Sequence, residues 1–395
     1  MAKVNTKSED WIDAELDLLR KQHRYRSVSE VPTPGGWLEE SGQCLMNLAS
    51  NDYLNLARHP DLAAASVAAA HGSGVGAGAS RLVTGTLPDH TRLETLLARH
   101  KGYPSALLFG SGYLTNAGVI PALVGRKDHV FADRLVHASM LDAVKLSGAT
   151  LHRFRHNDVG HLEQLLDRYP AGRRLILTES VFSMDGDLAP IADIAGLAFA
   201  HEALLMIDEA HAGGVFGPEG AGLVRDADLC KQVNCSMGTL SKAFGSYGGY
   251  VVCSKRMREW LINRSRALIY TTALPPTAVQ AARAALSLIE AHPDWGAQLL
   301  ERAQLFRQHL QGYGLDTYAS ASQIVPIHIG SDEATIRVAM ALRRKGLLVA
   351  AIRPPTVPVG KARLRCSITL AHQDDDLAQA AELIHRACRA EGIPS

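Results

Sequence analysis

Between Pro88 and Cys253 the sequence alternates short apolar runs with stretches of helical periodicity, and no other feature limits the fold as much. The runs are Ala106 to Phe109, Val130 to Ala132, Leu151 to Phe154, Leu175 to Leu177, Ala203 to Ile207 and Gly249 to Cys253. Each is too short for a buried helix, and most are unbroken by polar residues, which is how strands inside a parallel sheet read. Helical patterns lie between them, around Leu93 to Leu97, from Leu114, up to Leu146 and near 158–168. This order predicts a mostly parallel central sheet covered by helices on both faces. The run Ala203 to Ile207 closes on Asp208, with Glu209, Ala210 and His211 next. An acid at the carboxyl end of a buried strand stands where open α/β sheets hold their ligands.

The flanking regions have a different texture. Residues 8–26 place Trp11, Ile12, Leu16 and Leu19 at helical spacing, followed by Arg20, Arg24 and Arg26. Pro32 to Gly36 reads as a turn, Leu45 to Leu48 as a short strand, and Pro60 opens an Ala-rich helix. Beyond Pro276, long helical patterns (276–291, 293–312) lead into strands at 323–329, 347–352 and 363–369 and a last helix at 375–389. That is a smaller α+β domain. The expected division is an N-terminal helical segment 1–46, a large domain 47–287 and a small C-terminal domain 288–395. A net charge of +1 over 395 residues argues against nucleic acid or an anionic membrane as the main partner. No apolar stretch approaches the ~20 residues of a spanning helix, and Met1 to Arg26 has no apolar core of a secretory signal. The six cysteines have no CxxC spacing and read as small buried hydrophobes of a reducing compartment, so the cytoplasm is the expected location.

The chemistry gathers around Gly238-Thr239-Leu240-Ser241-Lys242-Ala243-Phe244-Gly245. A lysine among small and hydroxyl residues is poorly solvated, and a desolvated amine is the usual source of a Schiff-base nucleophile. Asp208 supplies a carboxylate for a pyridine nitrogen, and His211 an imidazole for a ring oxygen. The strand–turn–helix at Gly110 to Leu114 offers the amides of Gly112 and Tyr113 to a phosphate, with the Thr239 hydroxyl as a further contact. His137 can stack on the ring. All of these needs are met by one cofactor, pyridoxal 5′-phosphate. Asp208 to His211 also spells the helicase box DEAH, but no Walker A lysine accompanies it. A zinc site from His137 and His211 lacks tight ligand spacing. The glycine-dense segment Gly72 to Gly85 fits neither a P-loop nor a dinucleotide fingerprint; it is either a loop needing close backbone approach or a phosphate contact.

The segments SNDYLNL (50–56), DRLVHASMLDA (133–143), HNDV (156–159), TESVFSMDGDLAP (178–190), DEAH (208–211), GTLSKAFG (238–245) and AIRPPTVP (351–358) together resemble the α-oxoamine synthase family of fold-type I pyridoxal-phosphate enzymes. The resemblance runs from about Asn47 to the end of the chain. It implies a decarboxylative condensation of an amino acid with an acyl thioester, in which Lys242 carries the cofactor and removes the α-proton and His137 assists the developing oxyanion. Within the family, AIRPPTVPVGKARLR resembles the branch that joins L-alanine to pimeloyl-CoA or a pimeloyl-acyl-carrier protein; other branches take glycine. SKAFG, where that branch more often has GKGFG, and Glu209, where Asp is common, are departures. By the same resemblance, Asn51 and Ser183 lie beside the cofactor, Arg353 binds the amino-acid carboxylate, and Thr356 and an N-terminal arginine, Arg24 or Arg26, contact substrate. Thr271 or Thr272 reaches the cofactor phosphate of a neighbouring subunit, so a homodimer with shared sites is expected.

Overall fold

The computed structural model describes residues 6–28, 30–40 and 42–393. Its thirteen strands are β1 (Trp37–Glu40), β2 (Gln43–Asn47), β3 (Ser105–Phe109), β4 (His129–Asp133), β5 (Thr150–Phe154), β6 (Arg174–Glu179), β7 (Leu204–Asp208), β8 (Cys235–Thr239), β9 (Gly249–Cys253), β10 (Ile324–Gly330), β11 (Leu347–Leu348), β12 (Ala350–Ile352) and β13 (Ala362–Ser367). Seven of them form the central sheet in the order β3-β9-β8-β7-β6-β4-β5. β9 runs antiparallel to both neighbours and the other registers from β8 to β5 are parallel.

Alternate side chains of this sheet enter two separate apolar layers, as strand geometry requires. Ala106, Leu108, Phe131, Ile176, Leu205, Ile207, Tyr250 and Val252 belong to one layer. Leu107, Phe109, Val130, Ala132, Leu175, Leu177, Met206, Met237 and Val251 belong to the other. Both faces are therefore covered, which is why the inner strands read as continuous apolar runs. β5 is one of the two edge strands, and its mixed sequence Thr-Leu-His-Arg-Phe is only partly buried.

The C-terminal part builds a three-stranded antiparallel sheet, β10-β13-β12, under the helices Asp332–Arg344 and Asp374–Ala390. The stretch 347–352, expected as one strand, is divided: β11 pairs with β2 and β12 with β13. Strand β1 and the helix Lys255–Arg264 carry no strong sequence signal and were not expected. The N-terminal helix Asp10–Lys21 forms, but none of its residues is buried against this chain. Of the cysteines, Cys44 is exposed and Cys230 half-buried, so only the other four act as core residues. Among the described residues no helix is long and apolar enough to cross a membrane.

Candidate active site

The carboxyl ends of β4, β6, β7 and β8 and the start of the helix Gly112–Leu123 meet at one edge of the sheet. Ser111 caps that helix: its Oγ accepts from the Leu114 amide at 3.2 Å and its carbonyl from the Thr115 amide at 2.9 Å. Among the described residues the amides of Gly112 and Tyr113 have no acceptor and remain open donors at the positive end of the helix dipole. Thr239, at the end of β8, lies against Gly112, 3.6 Å from where a Cβ would stand. Its hydroxyl donates to Gly248 O at 2.9 Å and accepts from the Ser241 amide at 3.2 Å.

Asp208 is 6 % exposed and is held from two sides. The Ala210 amide donates to Oδ1 at 2.9 Å and Asn116 Nδ2 to Oδ2 at 3.1 Å. Asn116 Nδ2 also reaches Ser139 Oγ at 2.9 Å, and that hydroxyl lies 2.7 Å from His137 Nδ1. The Ser139 amide also donates to Nδ1, at 3.3 Å, so the neutral ring carries its proton on Nε2. Burial holds the His137 pKa below the usual value, with Asp208 pulling the other way. Asn116 and Ser139 thus tie the acid to the ring-stacking candidate. Neither stood out in the sequence, because each is an ordinary polar residue of a helix.

Lys242 Nζ lies 2.8 Å from His211 Nε2. Burial lowers the lysine pKa to about 8, with Asp208 and Glu179 opposing and Arg365 assisting. Burial, followed by the charges of Lys242 and Arg365, also keeps His211 well below the normal histidine range. Nε2 faces Lys242 and Nδ1 lies only 2.6 Å from Tyr53 Oη, so both His211 nitrogens have protein partners. Glu179 pairs in register with Asp208 across β6 and β7. Its Oε2 accepts from the Ser183 amide, Oε1 has no hydrogen-bond partner among the described residues, and burial beside Asp208 raises its pKa well above the ordinary carboxylate range.

Arg365 is a further residue of the site that does not stand out in the sequence. It is 5 % exposed on β13, donating from Nε to Ser183 O at 2.7 Å and from Nη1 to Asn51 Oδ1 at 3.2 Å and Ser367 Oγ at 2.8 Å. No described carboxylate forms an ion pair with it. By contrast Arg353 is partly exposed and donates to His23 O, and Arg24 Nε pairs with Asp332 Oδ2 at 3.0 Å. Burial, together with repulsion from Arg26, lowers the Arg353 pKa. Arg24, Arg26 and Arg353 therefore form one cluster, and Thr356, exposed, donates its amide to Arg353 O. Thr272 bridges to Ser80 of the glycine-dense segment, where a Cβ on Gly85 would sit 2.0 Å from Ala79 O. Close approach is thus required at Gly85, whereas a Cβ on Gly72, Gly74, Gly76 or Gly78 would meet no described atom within 4 Å.

This geometry has known counterparts. The model of the class I and II aminotransferase family matches residues 44–384. A protein of Geobacter sulfurreducens named 8-amino-7-oxononanoate synthase is 46% identical over 387 residues, covering 97% of this chain and 99% of its own. The chain belongs to the 8-amino-7-oxononanoate synthase family. Among solved structures, an S. paucimobilis serine palmitoyltransferase with a bound PLP–myriocin aldimine superposes with a TM-score of 0.92 at 30% identity, covering 99% of this chain and 100% of that one. The 8-amino-7-oxononanoate synthase of Francisella tularensis does so at 0.77 and 30% identity, covering 88% and 99%. Family membership makes this chain an acyltransferase that works with pyridoxal 5′-phosphate. The residues fit that group: a buried acid held by two donors, a lysine of lowered pKa, and a helix start with two open amides.

Proposed function

We propose that the chain condenses L-alanine with a pimeloyl thioester to give 8-amino-7-oxononanoate, carbon dioxide and the free thiol, a step of biotin synthesis. The observation that carries this reading is that Lys242, Asp208, His137 and Arg365, an arginine with no described carboxylate partner, lie close together in a chain so similar to its named relatives. Bound pyridoxal phosphate supplies an electron sink for charge developing at the α-carbon of alanine. Gly112, Tyr113 and Thr239 would hold its phosphate, Asp208 its ring nitrogen and His211 its ring oxygen, with Ser183 alongside.

Lys242, at a pKa of about 8, keeps a working fraction of free amine near neutrality and takes the α-proton. Positioned general-base help of this kind is worth ~10²–10⁴-fold. His137 donates from Nε2 to the oxygen of the thioester carbonyl as it gains charge. Arg365, a buried cation with no described carboxylate beside it, receives the amino-acid carboxylate with the planar fork suited to it. Arg353, with Arg24 or Arg26 and Thr356, then meets the acyl substrate. The acyl carrier, coenzyme A or carrier protein, belongs to the same reading.

Two copies of the chain would share the site through Thr271 or Thr272. Support comes from the apolar residues left exposed on one copy, Trp11, Leu18, Val75, Leu82 and Val83. A cytoplasmic location accords with six free thiols. The test is product analysis by mass spectrometry with alanine or glycine against pimeloyl-CoA and pimeloyl-carrier protein. Alanine is expected to give 8-amino-7-oxononanoate with at least one thioester. Turnover that prefers glycine, or that rejects both thioesters, would contradict the proposal.

A further inference from the structure

Tyr53, fully enclosed behind His211, is a buried group of the site that the reaction leaves unused. Its Oη lies 2.6 Å from His211 Nδ1 and 3.2 Å from Asn51 Oδ1, while His211 Nε2 faces Lys242 Nζ at 2.8 Å. A neutral imidazole owns a single N–H, so one ring nitrogen donates while the other accepts. Two arrangements satisfy every member of the chain. With Lys242 as an ammonium, Nζ donates to a bare Nε2, Nδ1–H donates to Tyr53 Oη, and the phenol donates to Asn51 Oδ1. With Lys242 as a free amine, the phenol donates to a bare Nδ1 and Nε2–H donates to Nζ. Asn51 Oδ1 then still accepts from Arg365 Nη1, so turning the phenol away leaves no oxygen orphaned.

We propose that Tyr53 is a positioning residue whose hydroxyl turns between Asn51 and His211, so that the imidazole offers a bare Nε2 to charged Lys242 and an N–H to the free amine. The inference rests on Lys242 being the reacting amine. Protons balance: the imidazole keeps one, moved from Nδ1 to Nε2, the phenol keeps its own, and the single proton lost overall goes to solvent. Both states of Lys242 thus meet a complementary nitrogen without charging His211. The groups that bear on the pair electrostatically are Asp208, Glu179, His137 and Arg365. Among the described residues, Tyr53 is the one side chain hydrogen-bonded to Nδ1.

The test uses the full-length, cofactor-free chain with ¹⁵N-labelled histidine and lysine, His211 being assigned by its loss in His211→Gln. Long-range ¹H–¹⁵N spectra followed across the Lys242 titration near pH 8 should show the protonated His211 nitrogen change from Nδ1 to Nε2 with the midpoint of Lys242. In Tyr53→Phe a buried Nδ1–H would have no acceptor. The Nε2–H form should then persist throughout, and the Lys242 midpoint should fall by on the order of one pH unit. One unchanging tautomer in the parent chain, two protonated nitrogens at neutral pH, or an unmoved midpoint in Tyr53→Phe would each overturn the proposal. None of these readings depends on which amino acid or thioester is turned over, so failure of the substrate assignment would be seen separately.

Discussion

A guanidinium with no carboxylate beside it is costly to bury, yet Arg365 lies between Ser183 O, Asn51 Oδ1 and Ser367 Oγ with its charge uncancelled. Charge and geometry fit it for a substrate carboxylate better than the partly exposed Arg353. A charge-assisted hydrogen bond contributes about 1.5–3 kcal/mol, which corresponds to about 10–100-fold in affinity. Arg365→Lys, which keeps the charge and loses the fork, is therefore expected to raise the KM for alanine by that factor while cofactor uptake survives. Steady-state kinetics with alanine varied would check it; an unchanged KM there, with the increase found in Arg353→Lys instead, would return the role to Arg353. At this scale the sequence was least informative. Arg365 approaches Asn51 from 314 residues away, and nothing local to RLR marks one arginine for the site and the other, Arg363, for Asp185.

Loops at the ends of strands need fixing if the groups they carry are to be placed, and His156 does this for three of them. Its Nδ1 lies 3.0 Å from Asp133 at the end of β4, and its Nε2 2.7 Å from Asp187 in the loop after β6. Asn157, at φ +54°, adds its amide to Asp133 and its side chain to Asp187 and Leu188 O. Those loops carry His137 and Ser183. Burial works against the imidazolium, but the hydrogen bonds to Asp133 and Asp187 outweigh it and push its pKa up to about 10. A pKa raised above the unfolded value of 6.5 adds stability that is complete below pH 6.5 and is lost as pH rises through 10. His156→Gln is accordingly expected to lower stability by about 2 kcal/mol, with the gap widest at acid pH and closing toward pH 10. Urea unfolding at several pH values measures this, and a pH-independent gap would argue that the charge is immaterial. The HNDV segment was visible in the sequence as part of a resemblance. Its physical role was not, since the two aspartates belong to other loops.

Across the whole molecule, what could be read in advance is what depends on near neighbours. Apolar runs reveal buried strands because both faces of the sheet are covered, and the helices between them follow from periodicity. Pairings between distant segments could not be read: β2 with β11, or Lys101 with Glu209. Lys101 looks like a solvated last-turn lysine, yet it is 1 % exposed and pairs with Glu209, which also accepts from Ser236 Oγ and the Val224 amide. Glu209, a departure from its family's usual Asp, thus faces away from the cofactor pocket into this buried pair. Asp208, one residue earlier on the chain, faces the pocket. Lys242 is the amine expected to hold the cofactor beside that acid. Borohydride reduction of the purified protein, followed by peptide mass mapping, tests this directly: the predicted result is one phosphopyridoxyl group, on the peptide containing Lys242. Label on any other lysine, or none, would contradict the account.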